Sequence, residues 1–336
     1  MNDQSLYIIA EISANHNNDL DLAYRTIDAI AESGADAVKI QTYTADSLTL
    51  DVESEIFMAR KGSLWEGRRL YDLYKEASLP YAWHKPLKEY AESKGLEFFS
   101  SPFDKEGVDL LFSLNVPRYK IASFEITDIP LIAYTASQGK PIIISTGVAS
   151  LSDIELAVET CRESGNNDIT LLKCTSEYPA AADMANLMTI PNLRDTFGVK
   201  VGLSDHTMGS TVPVVAVALG ARVIEKHFIL DRNQGGPDAA FSMEPEEFKQ
   251  MVNACHEAMA ALGEIKYELT ERNRNRRRSL FVSCDIQKGE VITAENIKSV
   301  RPGFGLHPKY YFEVLGKKAK EDLQIGTPLQ WKYLDL

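Results

Sequence analysis

Basic excess, clustered cysteines and long apolar runs are all missing from this sequence, and each absence removes a class of function. Lys and Arg number 36 against 48 Asp and Glu, for a formal net charge of −12. An acidic chain does not favour nucleic acid or anionic membranes as partners. A few local lysines can still dominate a pocket and serve an anionic small molecule. The four cysteines, Cys161, Cys174, Cys255 and Cys284, show neither metal-type nor disulfide-type spacing. They read as reduced thiols, which points to the cytoplasm. The opening stretch MNDQSLYIIAEIS has neither the basic start nor the long apolar run of a signal peptide. No apolar segment approaches the ~20 residues of a membrane helix, so no membrane partner is expected.

What is present is an alternation of short apolar runs with longer amphipathic ones. Strand candidates are Leu6–Ala10, Ala37–Ile40, Leu96–Phe99, Tyr119–Ala122, Pro141–Ile144, Ile169–Leu172, Val199–Leu203 and Arg222–Ile224. Helical spacing falls at Leu20–Ser33, Trp65–Ala77, Tyr81–Ser93, Lys105–Leu114, Leu131–Ser137, Ser152–Ser164, Ala185–Thr196, Thr211–Leu219 and Pro245–Leu262. Strands that are apolar throughout suit a parallel sheet buried on both faces. Eight of them, each followed by helix, predict an α/β fold of the (β/α)₈ TIM-barrel class, which takes roughly 250 residues. Residues 43–80 form an insertion after the second strand that could lie over the barrel mouth. The expected division is a barrel over 1–263, a linker over 264–278 and a small, β-rich C-terminal domain over 279–336. The linker carries Arg272, Arg274, Arg276, Arg277 and Arg278. On so acidic a chain, a solvated linker is a better account of these arginines than nucleic acid.

The chemistry gathers at the C-terminal strand ends, where such barrels place their active sites. In order these are Glu11, Lys39 with Gln41, Ser100 with Ser101, Lys120, Ser145 with Thr146, Lys173 with Thr175, Asp205 with His206, and Lys226 with His227. A lysine there is an anion ligand, a Schiff-base nucleophile or a solvated end residue. Lys39 and Lys120, with Ser101, Ser123 and Ser145, suit a phosphate and carboxylate cradle. His206 and His227 end neighbouring strands and suit one divalent ion, or else a hydrogen-bonded structural pair. Asp205 is placed to orient His206. Glu11 and Glu125 suit proton transfer or sugar hydroxyls, or a salt bridge to a mouth lysine. His16 and His84 read as loop or helix-start residues.

The segments AEISANHNN, GADAVKIQTY, FFSSPFD, YKIASFEI, IISTGVAS, KCTSEYP, VGLSDHT, ALGARVIEKHF and GPDAAFSM resemble, in order, the motifs of the sialic acid synthase family. The segments RSLFVSCDIQKGEVITAENIKSVRPGFGLHP and GKKAKEDLQIGTPL resemble its antifreeze-like (SAF) C-terminal domain. Within the family, SLWEGRRLYDLYKEASLPYAWHK and VRPGFGLHPKYY are most similar to the pseudaminic acid synthase branch.

The resemblance implies a metal-dependent condensation of phosphoenolpyruvate with 2,4-diacetamido-2,4,6-trideoxy-altrose, giving a nine-carbon sugar acid and phosphate. N-acetylneuraminate or legionaminate synthesis is the alternative. A class I aldolase using Lys120 or Lys173 and a non-catalytic sugar-binding module are more distant ones. By the same resemblance Lys39, Ser101, Lys120, Ser123, Ser145 and Ser204 bind phosphoenolpyruvate. His206 and His227 hold a divalent ion (manganese, magnesium or cobalt). Glu11, Glu125, Tyr178 and Asp238 lie near the ion and the sugar. Arg301 reaches a partner subunit's barrel in a domain-swapped homodimer. Ser176 departs from the asparagine of neuraminate synthases, which disfavours that branch.

Overall fold

The computed structural model describes residues 5–335. Eight parallel strands close on themselves in sequence order: β1 (Tyr7–Glu11), β2 (Ala37–Thr42), β3 (Glu97–Pro102), β4 (Tyr119–Ile121), β5 (Ile142–Ser145), β6 (Ile169–Cys174), β7 (Lys200–Asp205) and β8 (Val223–His227). The closing ladder between β8 and β1 runs from Tyr7 opposite Val223 to Glu11 opposite His227. The outer ring holds α1 (Leu20–Glu32), α2 (Tyr81–Ser93), α3 (Lys105–Ser113), α4 (Ile129–Ala136), α5 (Leu151–Glu163), α6 (Thr189–Phe197), α7 (Thr211–Ala218) and α8 (Pro245–Leu262). Ile8, Val38, Phe98, Ile121, Ile144, Leu171 and Ile224 are essentially fully buried between strands and ring, and Ile9 is buried inside the barrel, which is why these runs carry no alternation.

The loops leaving the strands are ended by side-chain caps. Asp19, Asp104, Asp128 and Ser150 each accept a backbone N–H in the first turn of the next helix, satisfying donors the helix cannot satisfy itself. Gly202 is required by close approach, since a Cβ there would meet the Val223 carbonyl oxygen at 2.3 Å. At the opposite end of the barrel, Arg118 lies 4.6 Å over the Tyr7 ring and donates to Glu97 at 2.7 Å.

Every strand but β4 runs past its expected end, β8 as far as His227. The polar residues treated as loop starts are therefore inside the ladder, because they find partners across the barrel interior. Helices differ more. The helix expected from Trp65 begins only at Leu70. Gly62 and Gly67 take φ of +82° and Met58 pairs with Arg69, so the chain turns back on itself first. The helix expected from Ala185 starts at Thr189, after Asn186 adopts φ of +45°. The insertion is tied down by Asn18 donating to the Glu76 carbonyl at 2.8 Å and by Trp65 Nε1 donating to the Pro237 carbonyl at 3.1 Å.

A second compact unit begins at Glu264. Its core is Leu280, Val282, Ile286, Ile292, Ile297, Val314, Leu323, Leu329 and Leu334. β9 (Ser279–Val282) and β10 (Ile297–Val300) form one antiparallel pair, and isolated bridges supply the remaining strand contacts. Within the arginine-rich stretch lies a short helix, Glu271–Asn275, capped by Thr270.

Candidate active site

Across the mouth the strands bury a network of ion pairs. Lys39 Nζ lies 3.0 Å from Glu11 Oε2 and 3.0 Å from Glu225 Oε1, and Lys120 Nζ lies 3.4 Å from the same Glu225 oxygen. Gln41 donates to Glu11 Oε1 at 2.9 Å. The salt bridge weighed for Glu11 is thus present. Burial works against the charge of Glu11, but Lys39 and His227 outweigh it and hold this carboxyl below the usual carboxylate range. Burial likewise opposes the Lys39 charge, yet Glu11 and Glu225 leave it raised; at Lys120 burial wins and lowers it. Ser204, on β7, donates to Glu225 Oε1 at 3.1 Å.

A second group is made of hydroxyls. Ser101 Oγ and Ser145 Oγ are buried and have no hydrogen-bond partner among the described residues. Ser123 Oγ accepts from the Gly147 N–H at 3.2 Å. A Cβ on Gly147 would meet Ser176 Oγ at 2.2 Å and Ser123 Oγ at 2.8 Å, so a side chain there would have to displace those hydroxyls. Glu125 Oε2 is also buried and unpartnered. Burial, only partly offset by Lys120, pushes the Glu125 carboxyl up to about 7.

His206 and His227 stand with ring centroids 5.3 Å apart. His206 Nδ1 lies 2.9 Å from the Thr175 carbonyl oxygen. A carbonyl only accepts, so that nitrogen carries the proton and Nε2 is left with its lone pair. His227 Nε2 lies 3.4 Å from Glu11 Oε2, and its Nδ1 is buried without a partner. Tyr178 packs 4.5 Å from His206, and Phe241 lies 4.9 Å from both Tyr178 and His227. Trp65 of the insertion lies 6.2 Å from Tyr178, which brings the insertion to the mouth. Asp238 Oδ2 accepts from the Ala14 N–H at 3.2 Å. No group of three or more His, Cys, Asp and Glu forms a metal cage among the described residues.

One expectation is corrected, and other residues at or near the mouth find partners of their own. Asp205 does not orient His206; its carboxylate holds Lys226 Nζ at 2.5 Å and Thr207 Oγ1 at 2.9 Å. Lys226 is therefore engaged with that pair. Lys173 Nζ donates to the Cys174 carbonyl at 2.7 Å. Ser100 is held by Thr42 and the Ile40 carbonyl. His84 is buried within α2, 2.8 Å from Thr42 Oγ1, and His16 is buried beside Trp83. Arg301 is exposed on the C-terminal unit, beside a cleft lined by Arg276, Arg277, Arg278 and His307. Sequence reasoning passed over Glu225, Phe241 and Trp65. Glu225 was findable, since residues two apart on a strand share a face and His227 had already been singled out.

A closed (β/α)₈ barrel that collects two lysines, open hydroxyls and a histidine pair at its strand ends defines an enzyme class acting on small anionic substrates. The chain belongs to the NeuB family, which matches residues 26–267, and residues 277–335 match the SAF domain. It is 51% identical over 326 residues to the pseudaminic acid synthase of Helicobacter pylori, covering 96% of each chain. It is 39% identical over 337 residues to the N,N'-diacetyllegionaminic acid synthase of Legionella pneumophila, covering 98% of this chain and 94% of that one. The crystal structure of the N-acetylneuraminic acid (sialic acid) synthetase from Leptospira borgpetersenii, in complex with citrate, superposes with a TM-score of 0.71. It is 34% identical, with 81% of this chain and 90% of that chain covered.

Proposed function

We propose that the protein condenses phosphoenolpyruvate with the open-chain aldehyde of 2,4-diacetamido-2,4,6-trideoxy-altrose, releasing phosphate and a nine-carbon, sialic-acid-like product. The observation that carries this is the mouth itself. Lys39 and Lys120 share the strand ends with the unpartnered hydroxyls of Ser101 and Ser145, a pairing of cations and donors suited to a molecule bearing both phosphate and carboxylate. The sugar assignment draws on the half-identical pseudaminic acid synthase relative, against a lower identity to the legionaminate type.

The residues fit a divalent ion on two counts. His227 Nδ1 is buried without a partner, and the Thr175 carbonyl fixes the proton of His206 on Nδ1, leaving Nε2 as a donor. His206 and His227 would hold the ion, and imidazole donors beside a carboxylate suit manganese or cobalt better than magnesium. Bound there, the ion supplies Lewis-acid polarisation of the sugar's aldehyde oxygen.

The remaining work falls to the chain. Lys39, Lys120, Ser123 and Ser204 orient phosphoenolpyruvate so that its C3 carbon bonds to the aldehyde carbon. Glu125, protonated near neutrality, donates its proton to the developing alkoxide. Water adds at C2 of the resulting cation, and the tetrahedral product loses phosphate by C–O cleavage. Tyr178 and Asp238 line the sugar side, with Glu11 between them and the lysines. Arg301 has no hydrogen bond or ion pair among the described residues, and we read it as a group offered to a partner subunit's mouth in a swapped homodimer.

The test is phosphate release by chelated protein resupplied with manganese, using three sugars: the altrose derivative, N-acetylmannosamine and the diacetamido precursor of legionaminate. Release with the altrose derivative alone is expected. Release with another sugar would keep the reaction and replace the substrate. No release with any of the three from folded protein would remove the synthase reading.

A further inference from the structure

Glu225 sits on β8 with 2% of its surface exposed. Its Oε1 is met by Lys39 at 3.0 Å, Lys120 at 3.4 Å and the Ser204 hydroxyl at 3.1 Å. These three come from β2, β4 and β7, and all belong to the cradle read above for phosphoenolpyruvate. Its Oε2 is buried with no partner. Replacing a whole buried charge group by apolar residues of like volume is often no less stable, whereas removing one partner strands the others. Stability alone therefore gives no reason for the group as a whole.

Geometry does. Lys39 and Lys120 are two ammonium groups brought to one oxygen. Without a negative charge between them they would repel, and each would turn to other acceptors such as Glu11. Ser204 would lose the acceptor that fixes its hydroxyl. We propose that Glu225 is a positioning residue: one carboxylate oxygen holds Lys39, Lys120 and Ser204 in the arrangement that receives phosphoenolpyruvate. The inference rests on the synthase reading.

Simple electrostatics expects the opposite of this proposal. A carboxylate close to an anion site should repel the anion, so neutralising it should tighten binding. The sign of the change thus separates positioning from bulk charge. The experiment uses the full-length protein with manganese. Phosphoenolpyruvate binding is measured by calorimetry without sugar, and KM for each substrate is measured by phosphate release. For Glu225→Gln, Kd and KM for phosphoenolpyruvate should rise by about tenfold or more, while KM for the sugar stays within about twofold. Glu225→Asp keeps the charge but withdraws it, and should lie between the Gln variant and wild type. A lesion of folding alone would lower the active fraction and kcat, not this one KM.

Equal or tighter phosphoenolpyruvate binding by Glu225→Gln would overturn the proposal. If the Gln variant does not melt cooperatively, Glu225→Asp decides: a raised KM supports the proposal and an unchanged one overturns it. Wild-type protein that binds no phosphoenolpyruvate would remove the synthase reading and this inference together, and the same titrations distinguish that case.

Discussion

Two groups of residues at the barrel mouth are built on opposite plans. In the first, drawn from β1, β2, β4 and β8, each charge has an opposite charge beside it, with Glu11 and Glu225 set against Lys39 and Lys120 at 3.0–3.4 Å and Glu225 Oε2 alone among these atoms without a partner. In the second the hydroxyls of Ser101 and Ser145 and one oxygen of Glu125 answer to nothing. Buried polar groups are normally paired, and leaving one unpaired costs about 1–3 kcal/mol. The first group is thus a frame held largely by its own ion pairs. The second is a receptor completed by the oxygens of a substrate. Binding on the frame must compete with existing ion pairs, whereas binding on the receptor meets no such competition.

The largest break in that contrast comes from the frame's edge, where the histidines stand. His206→Ala or His227→Ala should lower turnover by roughly three orders of magnitude, about 4 kcal/mol of transition-state stabilisation. The fold should survive, because neither ring closes a ladder. Phosphate release and thermal melts with and without manganese read both effects. Wild-type protein should melt higher with the ion present, and the variants should not respond. A variant with full activity would take the ion away from these residues.

On the receptor side the sharpest probe is a methyl group. Gly147→Ala places a carbon 2.2 Å from Ser176 Oγ and 2.8 Å from Ser123 Oγ, which must displace the hydroxyls. The expected result is a rise in KM for phosphoenolpyruvate of about thirtyfold, some 2 kcal/mol. The β5 ladder is untouched, so the melting temperature should shift by only a few degrees. Unchanged steady-state kinetics would mean the substrate does not use this arc.

The frame was less legible in the sequence than the receptor, for a physical reason. Apolar runs of three to five residues carry the strand count and order, since a parallel barrel buries both strand faces. Strand ends were read short because polarity was taken to mark a loop, and ion pairing across the interior is invisible along the chain. Glu225 was lost that way, as were the true partners of Asp205 and Lys226. Serines that stay unpaired carry no such hidden dependence, and Ser101 and Ser145 were singled out by their position at strand ends alone. Trp65 came within range of Tyr178 through a turn made by Gly62 and Gly67, which helical spacing over 65–77 had obscured.

The smallest effect concerns Glu125, the receptor's one ionisable group with an unanswered oxygen. Burial raises its pKa from 4.5 to about 7, so the folded protein keeps a proton there that the unfolded chain releases. The sign follows: its contribution to stability is fully present below pH 4.5 and is lost as pH rises towards 7. If the same proton goes to the alkoxide, kcat should be level below about pH 6 and fall about tenfold between pH 6 and pH 8. Glu125→Gln should be slower and flat across neutrality. A fall that persists in the Gln variant would give the proton to another group. The receptor side would then be a binding surface, with the acid supplied from elsewhere.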